Sequence, residues 1–367
     1  MLEAHLSTIQ PDGAELRVVA SVGEAVTVGL DGGNPTESEW MQEDSGLAFL
    51  CKVFTGLEPD TKHKVLVRAG SQTKTLSFRT LPRPDGPCRV RFGVLADQHI
   101  VPGAREPGPK QGVRRMFGVA EELAFRSLQR MEALGVEFVI LAGDTFDPLD
   151  QYTLALGREL LGSVRVPCHL MIGNHDVWGS YGEREFHEAF DLPPQGCRSF
   201  VHGDTAFLLL STPDQGSVAT SSAQFRWLQE QLETHARTRD TLIFSHYSLL
   251  LHPCVQGWRH DGMQLLHSSD AVLALLDRYP RVRAFIAGHK NVPSLTMRNG
   301  VFHMLCPQTI QSPCAFSIFE VYEDGLLHNV HEIEEAHWSW VSRDAHGADY
   351  SDRHGEEHSR NFFRTFS

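Results

Sequence analysis

Gly143-Asp144-Thr145-Phe146-Asp147 and Gly173-Asn174-His175-Asp176 each follow an apolar run, Phe138-Val139-Ile140-Leu141-Ala142 and Val166-Pro167-Cys168-His169-Leu170-Met171-Ile172. Short apolar runs closed by glycine read as buried strands of a parallel sheet. The polar residues then fall just past the strands' carboxyl ends, where open α/β sheets place their ligands. Carboxylates, an amide and an imidazole on one rim are oxygen and nitrogen donors for hard or borderline cations.

The same arrangement recurs on either side. Val90-Arg91-Phe92-Gly93-Val94-Leu95-Ala96 runs into Asp97-Gln98-His99. Thr241-Leu242-Ile243-Phe244 runs into Ser245-His246-Tyr247, and Val282-Arg283-Ala284-Phe285-Ile286-Ala287 into Gly288-His289-Lys290-Asn291. Helical spacing separates the strands: Met116, Val119, Leu123, Leu128 and Met131 within 113–134, then 222–235 and 263–279. Alternating strands and helices predict a layered α/β domain. Ala315–Tyr322 and Gly325–Ile333 read as a closing antiparallel pair that would give it a second sheet near its end, and residues 336–367 as a polar arm or tail.

Five strand ends in this order, carrying DxH, GDxxD, GNHD, H and GH, resemble the calcineurin-like metallophosphoesterase superfamily over residues 90 to 335. The resemblance implies a two-sheet αββα sandwich over 89–335 and a pair of metal ions. Asp97 and His99 would bind the first metal, Asp144 would bridge, and Asn174, His246 and His289 would bind the second. Two cations about 3.5–4 Å apart need a shared anionic ligand, which a carboxylate provides, and such a pair acidifies a water between them. His175 would protonate the leaving oxygen, with Asp147 orienting its ring. Asp176 is read either as part of that machinery or as turn chemistry. Asn291 stands where most of the superfamily has a second His of GHxH; the phosphoprotein phosphatases lack it too. An amide oxygen there tilts the first metal toward Mn²⁺ or Fe over Zn²⁺.

Before this domain, Leu16–Ala20, Ala25–Val28, Lys64–Arg68 and Thr75–Arg79 are short β-rich runs, with Gly70-Ser71 as a turn. Phe54 to Thr61 and Ser77 to Pro82 resemble the E–F corner and last strand of a fibronectin type III-like sandwich, which precedes the catalytic domain in purple acid phosphatases. The expected organisation is therefore an all-β domain at 1–82 and a linker at 83–88 holding Pro84, Gly86 and Pro87.

Composition bounds the partners. The 367 residues carry a net charge of −13, which excludes a general nucleic-acid or anionic-membrane surface. No apolar run is long enough to span a bilayer. Seven scattered cysteines without a Cys-x-x-Cys pair read as reduced thiols, and the N-terminus lacks a signal-peptide pattern, so the expected location is cytoplasmic. Of the 20 histidines, His328, His331, His337, His346, His354 and His358 have no ligand spacing and read as solvated.

The expected activity is metal-dependent hydrolysis of a small phosphorylated compound. Phosphoprotein phosphatases follow GDxxD with an Arg that clamps a dianionic phosphate. Here Pro148 follows Asp147, which places a diester slightly ahead of a nucleotide or sugar-phosphate monoester; the resemblance implies cyclic nucleotides as the first diesters to try, since the superfamily includes phosphodiesterases for them. The GDxxY tyrosine of purple acid phosphatases is absent. Arg105, Arg114, Trp258 and His260, in the loops after His99 and His246, are the candidate substrate contacts, with Lys110 and Arg115 beside the first two. A reading of another class is a non-catalytic protein-binding module with a degenerate metal site.

Overall fold

The computed structural model describes residues 1–44, 46–101, 115–212, 218–255, 268–334, 336–346 and 354–366. The first eight strands are β1 (Leu2–Ile9), β2 (Gly13–Ser21), β3 (Val26–Leu30), β4 (Thr36–Ser38), β5 (Gln42–Asp44), β6 (Leu47–Thr55), β7 (Lys62–Ala69) and β8 (Gln72–Arg79). They form two four-stranded antiparallel sheets, β1-β2-β6-β5 and β4-β3-β7-β8. Alternation sets the faces. In β7, Val65, Val67 and Ala69 are buried while Lys62, Lys64 and Arg68 are exposed. Leu16, Val18 and Leu50 from one sheet meet Val26, Val28 and Phe78 from the other in a single core.

The remaining strands are β9 (Val90–Leu95), β10 (Phe138–Ala142), β11 (Cys168–Met171), β12 (Arg198–His202), β13 (Thr205–Leu210), β14 (Asp240–Ser245), β15 (Val282–Ala287), β16 (Ser294–Arg298), β17 (Val301–Leu305), β18 (Ala315–Val321), β19 (Gly325–Glu332) and β20 (Asn361–Thr365). The helices are α1 (Ala120–Ala133), α2 (Gln151–Gly162), α3 (Glu183–Ala189), α4 (Ala223–Thr234), α5 (Ser269–Leu276), α6 (Ala336–His346) and α7 (Glu357–Arg360). Two six-stranded sheets, β11-β10-β9-β18-β19-β20 and β12-β13-β14-β15-β17-β16, lie face to face. Their shared interior is aromatic: Phe92 stacks on Phe138 and Phe319 at 5.5 and 5.2 Å and meets Phe207 edge-on at 5.3 Å. The alternate residues Leu95, Val139 and Leu141 turn to the outer face, against Ala124, Leu128 and Met131 of α1 and Leu154 and Leu160 of α2. Leu228 and Leu232 of α4 and Val272 and Leu276 of α5 cover the second sheet. The order of layers is therefore α/β/β/α.

Several expectations are corrected. The second sheet is built from residues 198–305, while β18 and β19 extend the first sheet beside β9. The described residues of the expected arm or tail, 336–346 and 354–366, are folded: α6 and α7 form there, and β20 pairs with β19 and buries Phe362. The helix expected from 113 starts at Ala120, because the Met116 N–H bonds the Ile310 carbonyl at 2.7 Å and a 3₁₀ turn follows. The helix expected over 263–279 is Ser269–Leu276 among the described residues. His328 and His331 are buried rather than solvated. Both lie on β19, which is covered on each face; His328 stacks on Phe319 at 4.5 Å, and His331 on Phe316. All seven cysteines are free thiols. No helix among the described residues is long and apolar enough to cross a membrane.

Candidate metal centre

Asp97 and His99 follow β9, Asp144 and Asp147 follow β10, Asn174 and His175 follow β11, His246 follows β14, and His289 and Asn291 follow β15. The two packed sheets thus deliver their carboxyl ends to one rim. Asp97, His99, Asp144, His289 and Asn291 have φ of 55, 46, 52, 66 and 62°. This left-handed region is unfavourable for residues with a Cβ, at about 1–3 kcal/mol each, though Asp, Asn and His tolerate it best. It persists because neighbouring loops over-determine it. Asp97 N–H bonds Gly143 O at 3.1 Å, His99 N–H bonds Asp144 O at 2.9 Å, and Asp147 N–H bonds Ile100 O at 2.9 Å.

Asp176 ties the GDTFD and GNHD turns together. Its buried carboxylate accepts from Phe146 N–H at 2.8 Å and Gly173 N–H at 2.7 Å. Of its two readings, this one is turn chemistry across both motifs. Gly173 must be glycine, since a Cβ there would lie 2.3 Å from Asp144 Oδ1. That closeness lets the His175 N–H bond Asp144 Oδ1 at 2.8 Å.

Two donor groups share one carboxylate. Ligating atoms of Asp97, His99 and Asp144 lie within 4.8 Å of one another, and so do those of Asp144, His246 and His289. His246 Nδ1 sits 2.9 Å from the Ala142 carbonyl, which directs Nε2 inward, 3.3 Å from Asp144 Oδ2, 3.2 Å from Asn174 Oδ1 and 3.2 Å from His289 Nδ1. Asp97 Oδ1, His99 Nε2 and Asn291 Oδ1 are buried without a hydrogen-bond partner. Buried polar atoms are seldom left this way, and convergent unpartnered oxygen and nitrogen donors fit a pair of cations. The charges agree. Burial alone would raise the Asp144 carboxyl, but the imidazoles of His246, His99 and His175 hold it well below the usual carboxylate range. Burial disfavours a charged His246, yet the Asp144 carboxylate outweighs it and pushes that imidazole up to about 9. The cluster thus attracts positive charge.

His175 lies beside this cluster. Its Nδ1 is 2.9 Å from Asp147 Oδ2, and the same oxygen is 3.3 Å from His99 Nδ1. Its Nε2 is 4.0 Å from Asp144 Oδ2. Burial lowers the basicity of His175, but the Asp147 and Asp144 carboxylates together raise it more, so the net shift is upward. Arg115 is close enough for its charge to act on the same ring.

Arg105, Arg114, Trp258 and His260, and Lys110 with them, lie outside the described residues. Tyr247 is buried with its ring 4.3 Å from that of His289, a packing role. Sequence reasoning missed Trp178, whose ring centroid lies 4.0 Å from that of His175. The available signal was an aromatic three residues past His175 in the same strand-end turn.

Comparison with known proteins gives the family. A family model described as calcineurin-like phosphoesterase matches residues 90–293, more than half of the chain. A 3′,5′-cyclic-nucleotide phosphodiesterase of Nostoc sp. (strain PCC 7120) is 22% identical over 231 residues, 58% of this chain and 83% of that protein. Among solved structures, a dimetal phosphatase from Danio rerio superposes with a TM-score of 0.55 at 18% identity, covering 68% of this chain and 98% of its own. A purple acid phosphatase from yellow lupin gives 0.48 at 13% identity, over 91% of this chain and 72% of its own.

Proposed function

We propose that this chain, which belongs to the calcineurin-like phosphoesterase family, hydrolyses a small phosphodiester, with cyclic nucleotides the first substrates to try. The observation that carries this reading is the Asp144 carboxylate shared by two ligand groups. In it, Asp97, His99, Asp144 and Asn291 would hold one metal, and Asp144, Asn174, His246 and His289 the other. Mn²⁺ or Fe suits the oxygen-rich first set. A bound pair supplies Lewis acidity at the phosphoryl oxygens and a more acidic water.

The chain's own residues do the rest. Asp147 Oδ2, 2.9 Å from His175 Nδ1, fixes the ring and stabilises its protonated form. The Nε2–H is then free to donate to the leaving oxygen, which must gain a proton as the P–O bond breaks. Arg115 would meet the negative charge of an incoming phosphate. Diester preference is supported by Pro148 following Asp147 in place of an arginine clamp. The likeness to a cyclic-nucleotide phosphodiesterase points the same way. Arg115 favours a second reading, a phosphomonoesterase, because it brings an extra cation to the site.

The test is turnover of cyclic AMP, bis(p-nitrophenyl) phosphate and p-nitrophenyl phosphate by protein loaded with Mn²⁺. Higher kcat/KM on the diesters is the expected result. Activity confined to the monoester replaces it with the second reading, and no turnover of any of them leaves the non-catalytic reading standing.

A further inference from the structure

We propose that the exposed indole of Trp178 is the platform for a planar ring on the leaving-group side of the substrate, a nucleobase or an aryl group. This rests on the phosphoesterase reading of the same site. His175 is held between two rings: His99 edge-on at 4.5 Å and Trp178 at 4.0 Å with a 43° tilt. Trp178 nevertheless keeps 62% of its surface exposed. Scattered exposed apolar residues are ordinary, but this one touches the ring that would protonate the leaving oxygen. A group bonded to that oxygen therefore lies within a few ångströms of the indole.

The backbone that carries the indole is fixed, and the His175 ring lies against the indole itself. Trp178 N–H bonds the His175 carbonyl at 3.1 Å, and Tyr181 N–H bonds the Leu149 carbonyl at 3.3 Å. Between them Gly179 presses so close to Leu149 that a Cβ would lie 1.8 Å from its carbonyl oxygen. Val177 packs into the core on one side, leaving Trp178 to face outward. A preorganised tryptophan gives a stacked ring large contact area with little ordering cost. Stacking a base on an aromatic side chain is typically worth about one to two powers of ten in affinity.

The test compares wild type, Trp178→Ala and Trp178→Phe, all loaded with Mn²⁺, on two cyclic diesters. Adenosine 3′,5′-cyclic monophosphate carries a planar ring and glycerol 1,2-cyclic phosphate does not. Trp178→Ala is expected to raise KM for the adenosine diester about tenfold or more beyond its effect on the glycerol diester, and Trp178→Phe to recover much of the difference. An equal factor on both substrates makes Trp178 a packing residue for His175 and overturns the proposal. Should the wild type hydrolyse neither, the phosphodiester reading fails, and calorimetric binding of AMP decides the proposal separately. Weaker binding by Trp178→Ala, restored in Trp178→Phe, upholds the platform, and equal affinity of all three proteins overturns it.

Discussion

Asp147 shows how much one side chain sets. A single oxygen, Oδ2, is 2.9 Å from His175 Nδ1 and 3.3 Å from His99 Nδ1. It lies beside the proposed proton donor and a candidate metal ligand at once. His175→Ala should therefore keep its metal content while losing about 10²–10⁴-fold in kcat on substrates with alkoxide leaving groups. The loss should shrink on p-nitrophenyl esters, whose leaving group needs no proton, and an equal loss on all substrates would rule out the acid role. The pairing of Asp147 with His175 was implied by the resemblance to the metallophosphoesterase pattern, with turn chemistry as the other reading of Asp147. Asp176 could not be resolved that way. Aspartate after a strand fits a ligand, a base or a turn, and only its bonds to Phe146 and Gly173 decide among them. Trp178 was missed because nothing in its own residue type marks it as lying against His175.

At the scale of elements, legibility followed burial. β9, β10, β11, β14 and β15 are mostly apolar runs because most of their residues are buried, so their ends and the candidate ligands were readable in order. β20 was not, since Asn361-Phe362-Phe363-Arg364-Thr365 is a short edge strand embedded in polar sequence. Its weight is carried by Phe362, 2% exposed, whose ring approaches His328 at 5.2 Å and Phe302 of the second sheet at 6.3 Å. Phe362→Ala should cost about 3–5 kcal/mol of stability, as large-to-small core changes do, whereas the exposed Arg364→Ala should cost little. Urea unfolding of the two variants checks this; a Phe362→Ala midpoint equal to wild type would mean the strand is dispensable. The sheet that β18 and β19 join was not legible either, because strand order depends on contacts between residues more than 200 positions apart.

Across the whole molecule, β1 is fastened along β19 and the C-terminal segment. Thr8 Oγ1–H donates to Val330 O at 3.0 Å, the Asn329 amide to Ile9 O at 2.6 Å and the Asn361 amide to Ser7 O at 3.2 Å. His5 Nε2 lies 2.8 Å from Glu332 Oε1. Packing also buries histidines that the sequence presents as ordinary, His328 among them, against Phe319 and Phe362 in the core between the two six-stranded sheets. Burial pushes His328 down to about 3 and His331 to about 4, as it does His252 to about 3 and His303 to about 4 in the second half of the chain. The unfolded chain takes up protons at these residues below about pH 6.5, while the folded protein leaves them neutral until about pH 4. Stability is then fully present above pH 6.5 and falls as the pH drops toward 4. Thermal unfolding of chelator-treated protein should show Tm declining steadily from pH 6.5 to 4.5; a flat profile over that range would contradict it.

Asp144 is proposed to be shared between two metal ions. Metal analysis after incubation with Mn²⁺ and removal of unbound ion tests it most directly. About two equivalents per chain in the wild type and fewer than one in Asp144→Ala is the result predicted. Fewer than one equivalent in the wild type, or two retained by a folded Asp144→Ala, would contradict it.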